Sequence, residues 1–94
     1  MQVELEQSAS GGTFFVRRDG QRVGQLEFER TAQPDVVAVT HTEVAPELRG
    51  QGMGHELVKA AADWSRREGV KLSLRCPFAK VLFLRDPALR ELIA

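Results

Sequence analysis

The sequence has few of the residues on which several protein classes depend. Cysteine occurs once, at Cys76, so the chain can form no internal disulfide. That cysteine and two histidines, His41 and His55, make a poor ligand set for zinc, and we expect no metal site. The longest apolar runs are only a few residues long, which excludes a transmembrane helix and argues against a membrane partner. No cationic start leads into an apolar stretch, so we expect no secretory signal and a cytoplasmic location.

Neither acidic nor basic residues are in excess, although they are distributed unevenly along the chain. The 13 basic and 13 acidic side chains give a formal net charge of 0. Residues 1–47 carry 8 acidic and 4 basic side chains, whereas residues 48–94 carry 5 acidic and 9 basic ones. The overall balance argues against a generic nucleic-acid-binding protein. The basic second half suits either an anionic ligand or an ordinary solvated surface.

The first half of the chain reads as four strands. With 94 residues, the chain has the length of one domain, residues 1–94, around a single modest core. Alternating or β-branched runs predict strands at Val3–Gln7, Thr13–Arg18, Gln21–Arg30 and Val36–Glu43. Asp19-Gly20, between the second and third runs, is a strong hairpin signal, and Ser8–Gly12 has the composition of a turn.

In the second half of the chain the spacing of the apolar residues changes. Apolar residues recur at spacings of three and four from Gly52 to Glu68, which predicts an amphipathic helix that Gly69 ends. Lys71–Arg75 returns to alternation and predicts a fifth strand, parallel to the fourth because a helical crossover joins them. Pro77 suits the first turn of a helix through Arg85, and Asp86-Pro87 suits a cap and a final helical turn.

The predicted fold class is α+β. It comprises a mostly antiparallel sheet of about five strands, with one long helix after the fourth strand and short C-terminal helices.

A glycine-rich loop, Arg49-Gly50-Gln51-Gly52-Met53-Gly54, lies between the fourth strand and the long helix. Glycines allow a sharp turn and close approach to a ligand, and the first amides of a helix have no intrahelical partner. Such a loop either binds phosphate or forms a tight turn with no ligand. It is not a Walker A loop, because no Gly-Lys-Ser/Thr follows, and His55 stands where a dinucleotide fingerprint has its third glycine.

Arg49, Gly52 and Gly54 fit the pattern Arg/Gln-x-x-Gly-x-Gly/Ala, so the loop resembles the acetyl-CoA loop of the GNAT superfamily of N-acetyltransferases. Three further segments resemble a subgroup of very small, single-domain GNAT-like proteins: His41-Thr-Glu-Val44, Cys76-Pro-Phe78 and Arg85-Asp-Pro87. The resemblance extends from about Val3 to Leu89 and implies a truncated GNAT fold.

The resemblance also implies a site for acetyl-CoA or CoA, without a metal. Backbone groups at Glu43 and Val44, where the fourth and fifth strands separate, would pair with the pantetheine arm. The amides that would hold the pyrophosphate are those of Arg49, Gly50, Gln51, Gly52, Met53 and Gly54. Phe78 and Phe83 would line the same channel or belong to the core, and Lys80 and Arg85 are candidates for the adenosine 3′-phosphate.

The catalytic pair that many GNAT enzymes use is missing. Those enzymes have a tyrosine after the fifth strand and a glutamate on the fourth, but this chain contains no tyrosine and no carboxylate in Val36–Thr40. Cys76 and His41 stand at the corresponding strand ends. His41 would act as a base, and Cys76, just before a helix, would accept the acetyl group or protonate the CoA sulfur. The alternatives are a buried structural cysteine and a structural histidine, and Glu43 is a second candidate base.

Two classes of function follow. The first is an N-acetyltransferase that moves an acetyl group from acetyl-CoA to a primary amine, such as a protein lysine or another cationic amine. The second is a non-catalytic CoA- or acyl-CoA-binding module. A phosphate-sensing nucleotide binder is disfavoured, because no metal-binding or base-reading residues accompany the loop. Full-length GNAT enzymes continue with further strands that shape the acceptor pocket, whereas only Asp86–Ala94 stands at that place in this sequence. The resemblance therefore implies an acceptor site that is open or completed by another molecule, in a monomer or a homodimer.

Overall fold

A five-stranded sheet, with its strands in chain order, forms the centre of the computed structural model, which describes residues 1–94. Strands β1 to β4 pair antiparallel, and β5 pairs parallel to β4. The strands are β1 Glu4–Ser8, β2 Gly11–Arg18, β3 Gln21–Arg30, β4 Val36–Val44 and β5 Lys71–Leu74. The helices are α1 Met53–Glu68, α2 Pro77–Arg85 and α3 Pro87–Arg90, and Pro46–Leu48 form a 3₁₀ turn. The predicted α+β class and strand number are confirmed, and none of the helices combines the length and apolar character needed to cross a membrane.

Local signals account for the ends of several elements. Asp19 and Gly20 have φ values of 50° and 78°, which is the left-handed pair of a type I′ hairpin turn between β2 and β3. Gly69 ends α1 in the left-handed region at φ 68°. The carboxylate of Asp86 accepts a hydrogen bond from the Ala88 amide at 2.9 Å and thereby caps α3.

The predicted turn at Ser8–Gly12 is shorter in the structure. Only residues 9–10 form the turn, and Gly11 and Gly12 belong to β2. A Cβ atom on Gly11 would overlap the backbone carbonyl of Phe28 on β3. The two glycines therefore serve a close approach of strands rather than a turn.

An aromatic trio joins α1 to the sheet. Phe14 and Phe28 come from adjacent strands and Trp64 from α1, and each has 3% of its surface exposed. The ring centroids of Phe28 and Trp64 lie 4.7 Å apart, and Phe14 lies 5.6 Å from Phe28 and 6.0 Å from Trp64. Buried aromatic rings remove large apolar areas from water, so this trio is a main part of the core on the helical face of the sheet.

Phe83 belongs to the core and does not line a channel. Phe83 and Ala79 are four residues apart on α2, and neither has any exposed surface, so this side of α2 packs into the core. The expectation that Phe83 contacts a cofactor is therefore wrong. Phe78 is 46% exposed and takes the position beside the groove described below.

The sheet opens where β5 ends. The last parallel pair joins Val39 of β4 to Leu74 of β5, whereas β4 continues to Val44. At the same point the pairing of β3 with β4 shifts register, because Thr40 is an extra residue between Val39 and His41. A bulge of this kind bends its strand and increases its twist. The second half of β4 therefore has one free edge.

Replacing Phe83 with alanine tests its place in the core. We expect Phe83→Ala to lower the free energy of unfolding by about 3–5 kcal/mol, because it leaves a cavity under α2. Val81→Ala, on the exposed side of the same helix, should change it by less than about 1 kcal/mol. Urea denaturation followed by circular dichroism measures both. Equal, small losses would contradict the core position of Phe83.

Candidate functional site

A groove of about 670 Å³ lies between the free edge of β4 and the first turns of α1 and α2. Small-molecule sites in proteins commonly have volumes of roughly 300–1,000 Å³. The groove is lined by His41–Val44 of β4, by Leu48, Arg49, Gly50 and Gly52 of the loop, by Met53, Gly54 and His55 of α1, and by Phe78 and Leu82 of α2. The glycine loop and the open end of the sheet therefore border the same space.

Two glycines set the path of the loop into α1. Gly50 and Gly52 have φ values of 83° and 80°, in the left-handed region where a side chain is strained. Gly52 is the N-cap of α1 and supplies no side chain to cap the helix. The chain thus reaches the helix without a group that would occupy its first amides.

Three amides at the start of α1 are free of helical partners. The helical hydrogen bonds begin with the Glu56 amide, which donates to the Gly52 carbonyl at 3.0 Å. The amides of Met53, Gly54 and His55 precede it and lie at the positive end of the helix dipole. Sequence reasoning selected the first two but missed the amide of His55, although its place in the first turn of the helix was a usable signal. The arrangement suits an anionic group.

The absence of a side chain at Gly54 brings α2 close to α1. A Cβ atom on Gly54 would lie 2.5 Å from Cζ of Phe78. The Phe78 ring therefore packs directly on the first turn of α1, at one wall of the groove. Gly54 has this packing role in addition to any contact with a ligand.

The free edge of β4 presents the backbone groups of Thr42 and Val44. The Ala45 amide donates a hydrogen bond to the Val23 carbonyl at 2.8 Å, so the backbone groups of Ala45 face β3. Along β4, the backbone groups of every second residue face the same neighbouring strand. By this alternation the backbone groups of Glu43 face β3, which corrects the expectation that Glu43 offers them to a ligand. The Val44 carbonyl accepts a hydrogen bond from Nε of Arg49 at 3.4 Å.

Cys76 does not line the groove itself, but its side chain contacts Thr42, which does. It is the N-cap of α2, its surface is 6% exposed, and its Sγ donates to Oγ1 of Thr42 at 3.4 Å. Burial raises the pKa of the thiol, but hydrogen bonds with the Thr42 side chain and with the backbone of Ala79, Phe78 and Thr42 together lower it below its ordinary value. A thiol with a lowered pKa is a better source of thiolate at neutral pH.

His41 lies on the other face of β4. It pairs across the strands with Glu27, whereas Thr42 pairs with Leu26, a core residue on the helical face. Cross-strand partners share a face, so the side chains of His41 and Thr42 point in opposite directions. The side chain of His41 is 53% exposed, and its Nε2 lies 3.3 Å from Oε2 of Glu43.

The hydrogen-bond partner of Cys76 is therefore Thr42, not His41. Sequence reasoning did not select Thr42. The alternation of side chains along a strand partly indicated the position of Thr42, because it puts Thr42 on the same face of β4 as Val44. Three further candidates, Gln51, Lys80 and Arg85, are exposed and do not line the groove.

Comparison with known proteins identifies the family. A family model described as GCN5-related N-acetyl-transferase matches residues 13–92, and the chain belongs to this family. The GNAT resemblance seen in the sequence is thus confirmed. Among curated proteins, none matches the chain.

Solved structures of GNAT proteins share the fold. A GCN5-like protein from Staphylococcus aureus, solved by NMR, is 24% identical with a TM-score of 0.73, and the match covers 97% of this chain and 87% of that one. A ribosomal-protein-alanine N-acetyltransferase from Brucella melitensis is 24% identical with a TM-score of 0.69, covering 83% of this chain and 62% of that one. An aminoglycoside N-acetyltransferase in complex with CoA is 20% identical with a TM-score of 0.58, covering 73% and 56%. The chain thus spans less than two thirds of the last two proteins.

A substitution at Gly52 tests the geometry of the loop. We expect Gly52→Ala to lower the free energy of unfolding by about 1–2 kcal/mol, because alanine is strained at φ 80°. Gly52→Asn should lower it less, since asparagine tolerates the left-handed region better than alanine. Thermal and urea unfolding of the pair measure the difference. If alanine proved as stable as glycine, the left-handed cap would be contradicted.

Proposed function

We propose that this chain is an acetyl-CoA-dependent N-acetyltransferase, with residues 1–94 acting as one domain, and that it transfers an acetyl group to a primary amine. The observation that carries the proposal is the groove. It joins the free amides of α1 to the open edge of β4, and the thiol of Cys76 is hydrogen-bonded to Thr42, one of its lining residues. Membership of the GCN5-related N-acetyl-transferase family supports the same conclusion.

The groove offers a distinct partner to each part of CoA. The pyrophosphate would lie against the loop from Arg49 to Gly52 and the amides of Met53, Gly54 and His55, because these groups donate hydrogen bonds toward an anion. The pantetheine arm carries amide groups and would run along β4 as an added strand, paired with Thr42 and Val44. Arg49 holds the Val44 carbonyl through a 3.4 Å hydrogen bond at an exposed site, which an incoming donor could replace.

Cys76 would carry the acetyl group. Its thiolate attacks the carbonyl carbon of acetyl-CoA, the bond from that carbon to the CoA sulfur breaks, and CoA leaves as a thiolate that takes a proton. The acceptor amine then attacks the acetyl-cysteine, the bond to Sγ breaks, the amide forms, and a proton leaves the nitrogen. The lowered pKa of Cys76 favours this route over one in which Cys76 only donates a proton.

A cationic acceptor suits the face of the sheet opposite the helices. Glu27 and Glu29 stand on this face without an ion pair, and Glu43 adjoins His41 there. These carboxylates would attract a lysine side chain or a polyamine toward the end of β4. His41 would then accept a proton from the ammonium group before attack, since a neutral imidazole has one nitrogen that can accept a proton.

The second candidate function is a CoA-binding module without catalysis. Two observations favour it: the chain has no tyrosine to act as the usual proton donor, and Cys76 is only 6% exposed. The loop and the edge of β4 would serve this function unchanged. The two candidates differ in the chemistry of Cys76, which can be measured.

Intact-protein mass spectrometry after incubation with acetyl-CoA separates the two functions. We expect the parent chain to gain one acetyl group and Cys76→Ala to gain none, because the thiolate is the nucleophile. Calorimetric titration should give both proteins the same affinity for CoA. An adduct that persists in Cys76→Ala would exclude the cysteine route, and CoA binding without any adduct would favour the module.

Removing charge from the acidic face tests the acceptor class. With a lysine-containing peptide as acceptor, we expect the double variant Glu27→Gln/Glu29→Gln to raise KM severalfold at low salt and to leave kcat unchanged, because the carboxylates attract the cation. The difference should shrink at high ionic strength. Glu68→Gln, an exposed change at the end of α1, is the matched control. Equal KM values for all three proteins would contradict a cationic acceptor on this face.

A further inference from the structure

The hydrogen bond between Thr42 and Cys76 spans the opening of the sheet. Thr42 lies three residues beyond the last β4 position that pairs with β5, and Cys76 lies two residues beyond the end of β5. Across this gap Sγ and Oγ1 are 3.4 Å apart, and both residues are at least partly buried. Thr42 is the residue whose side chain hydrogen-bonds the thiol, and it also lines the groove.

We propose that Thr42 is a positioning residue for acetyl transfer, whose hydroxyl holds Sγ of Cys76 at the groove and donates a hydrogen bond to the thiolate. This inference rests on the proposed function, and it adds a residue that the sequence did not mark as a candidate site residue. Thr42 itself forms no covalent bond to the acetyl group; it acts through Cys76.

A hydroxyl can serve both protonation states of the sulfur. While Cys76 is a thiol, S–H donates to Oγ1; after deprotonation, the hydroxyl rotates and O–H donates to the thiolate. A hydrogen bond to the charged form is stronger than one to the neutral form, so it favours the charged form. The side-chain hydrogen bond of Thr42 is accordingly among the causes that lower the pKa of Cys76.

Charged side chains do not account for that lowering. Apart from burial, which raises the pKa, every cause is a hydrogen bond. Every charged or titratable side chain on β5, α1, α2 and the second half of β4 is exposed, including those of Lys80, Arg85, His55, His41 and Glu43, and so is that of Arg75 next to Cys76. The hydroxyl of Thr42 is therefore the side-chain group whose removal should change the titration of the thiol.

The same hydrogen bond would act twice in the reaction. The thiolate of Cys76 is the attacking group when the acetyl-enzyme forms, and it is the leaving group when the amine displaces it. A thiolate of lower pKa leaves more readily. Stabilising it through Thr42 therefore assists both the formation and the discharge of acetyl-cysteine.

Two substitutions isolate the hydroxyl. Thr42→Val keeps the branched shape and the backbone amide but removes the donor, and valine suits a strand. Thr42→Ser keeps the hydroxyl but removes the methyl group. The pair thus separates a role of the hydroxyl from a role of side-chain shape.

The pH dependence of Cys76 alkylation by iodoacetamide tests the proposal. Cys76 is the only cysteine, so the reaction reports on this sulfur alone. We expect the midpoint of the profile to rise by about one pH unit in Thr42→Val, which slows alkylation about tenfold below both midpoints. The parent and variant rates should converge above both midpoints, and Thr42→Ser should keep the parent midpoint.

Two results would overturn the proposal. One is a Thr42→Val profile with the parent midpoint. The other is a rate changed by the same factor at every pH, which would report altered access to the sulfur rather than loss of thiolate stabilisation. Acetylation of the parent by acetyl-CoA, followed separately, tests the proposed function. If no acetyl-enzyme formed while the alkylation profile of Thr42→Val was shifted, acetyl transfer through Cys76 would be refuted. The hydrogen bond from Thr42 to the thiolate would then still be supported.

Discussion

The early end of the β4–β5 pairing is the constraint on which the site depends. The pairing stops at Val39, while β4 continues for five more residues to Val44. The bulge at Thr40 turns β4 away, and Pro77, which has no amide hydrogen, starts α2 and takes the chain out of the sheet. Were the two strands paired to the end of β4, the edge would be filled and the groove would not exist.

Electrostatics divides the site between the two faces of the sheet. On the helical side, free amides at the start of α1 favour an anion, and hydrogen bonds with the Thr42 side chain and with the backbone favour the thiolate of Cys76. On the opposite side, Glu27, Glu29 and Glu43 favour a cation. An anionic acyl donor and a cationic acceptor would thus approach the end of β4 from different directions, which keeps the two substrates from competing for the same surface.

Most of the fold was predictable from local patterns, because each element is set by its own residues. Alternation located the strands, and Asp19-Gly20 and Gly69 marked a turn and a helix end that the structure reproduces. The faces of α2 were not predictable. Apolar side chains occur all around this helix, at Phe78, Val81, Leu82, Phe83 and Leu84. The spacing of apolar residues therefore could not show that Phe83 is buried and Phe78 exposed. The partner of Cys76 was equally hidden, since the faces of β4 depend on a bulge that no sequence motif marks.

The proposed function depends on CoA binding in the groove between the glycine loop and the open edge of β4. Titration of ¹⁵N-labelled protein with CoA, followed through the backbone amide signals, tests it residue by residue. We expect the largest shifts on residues 49–55 and on Thr42 and Val44, with small shifts on β1 and β2. Saturable shifts confined to the acidic face around Glu27, or no shifts at millimolar CoA, would contradict it.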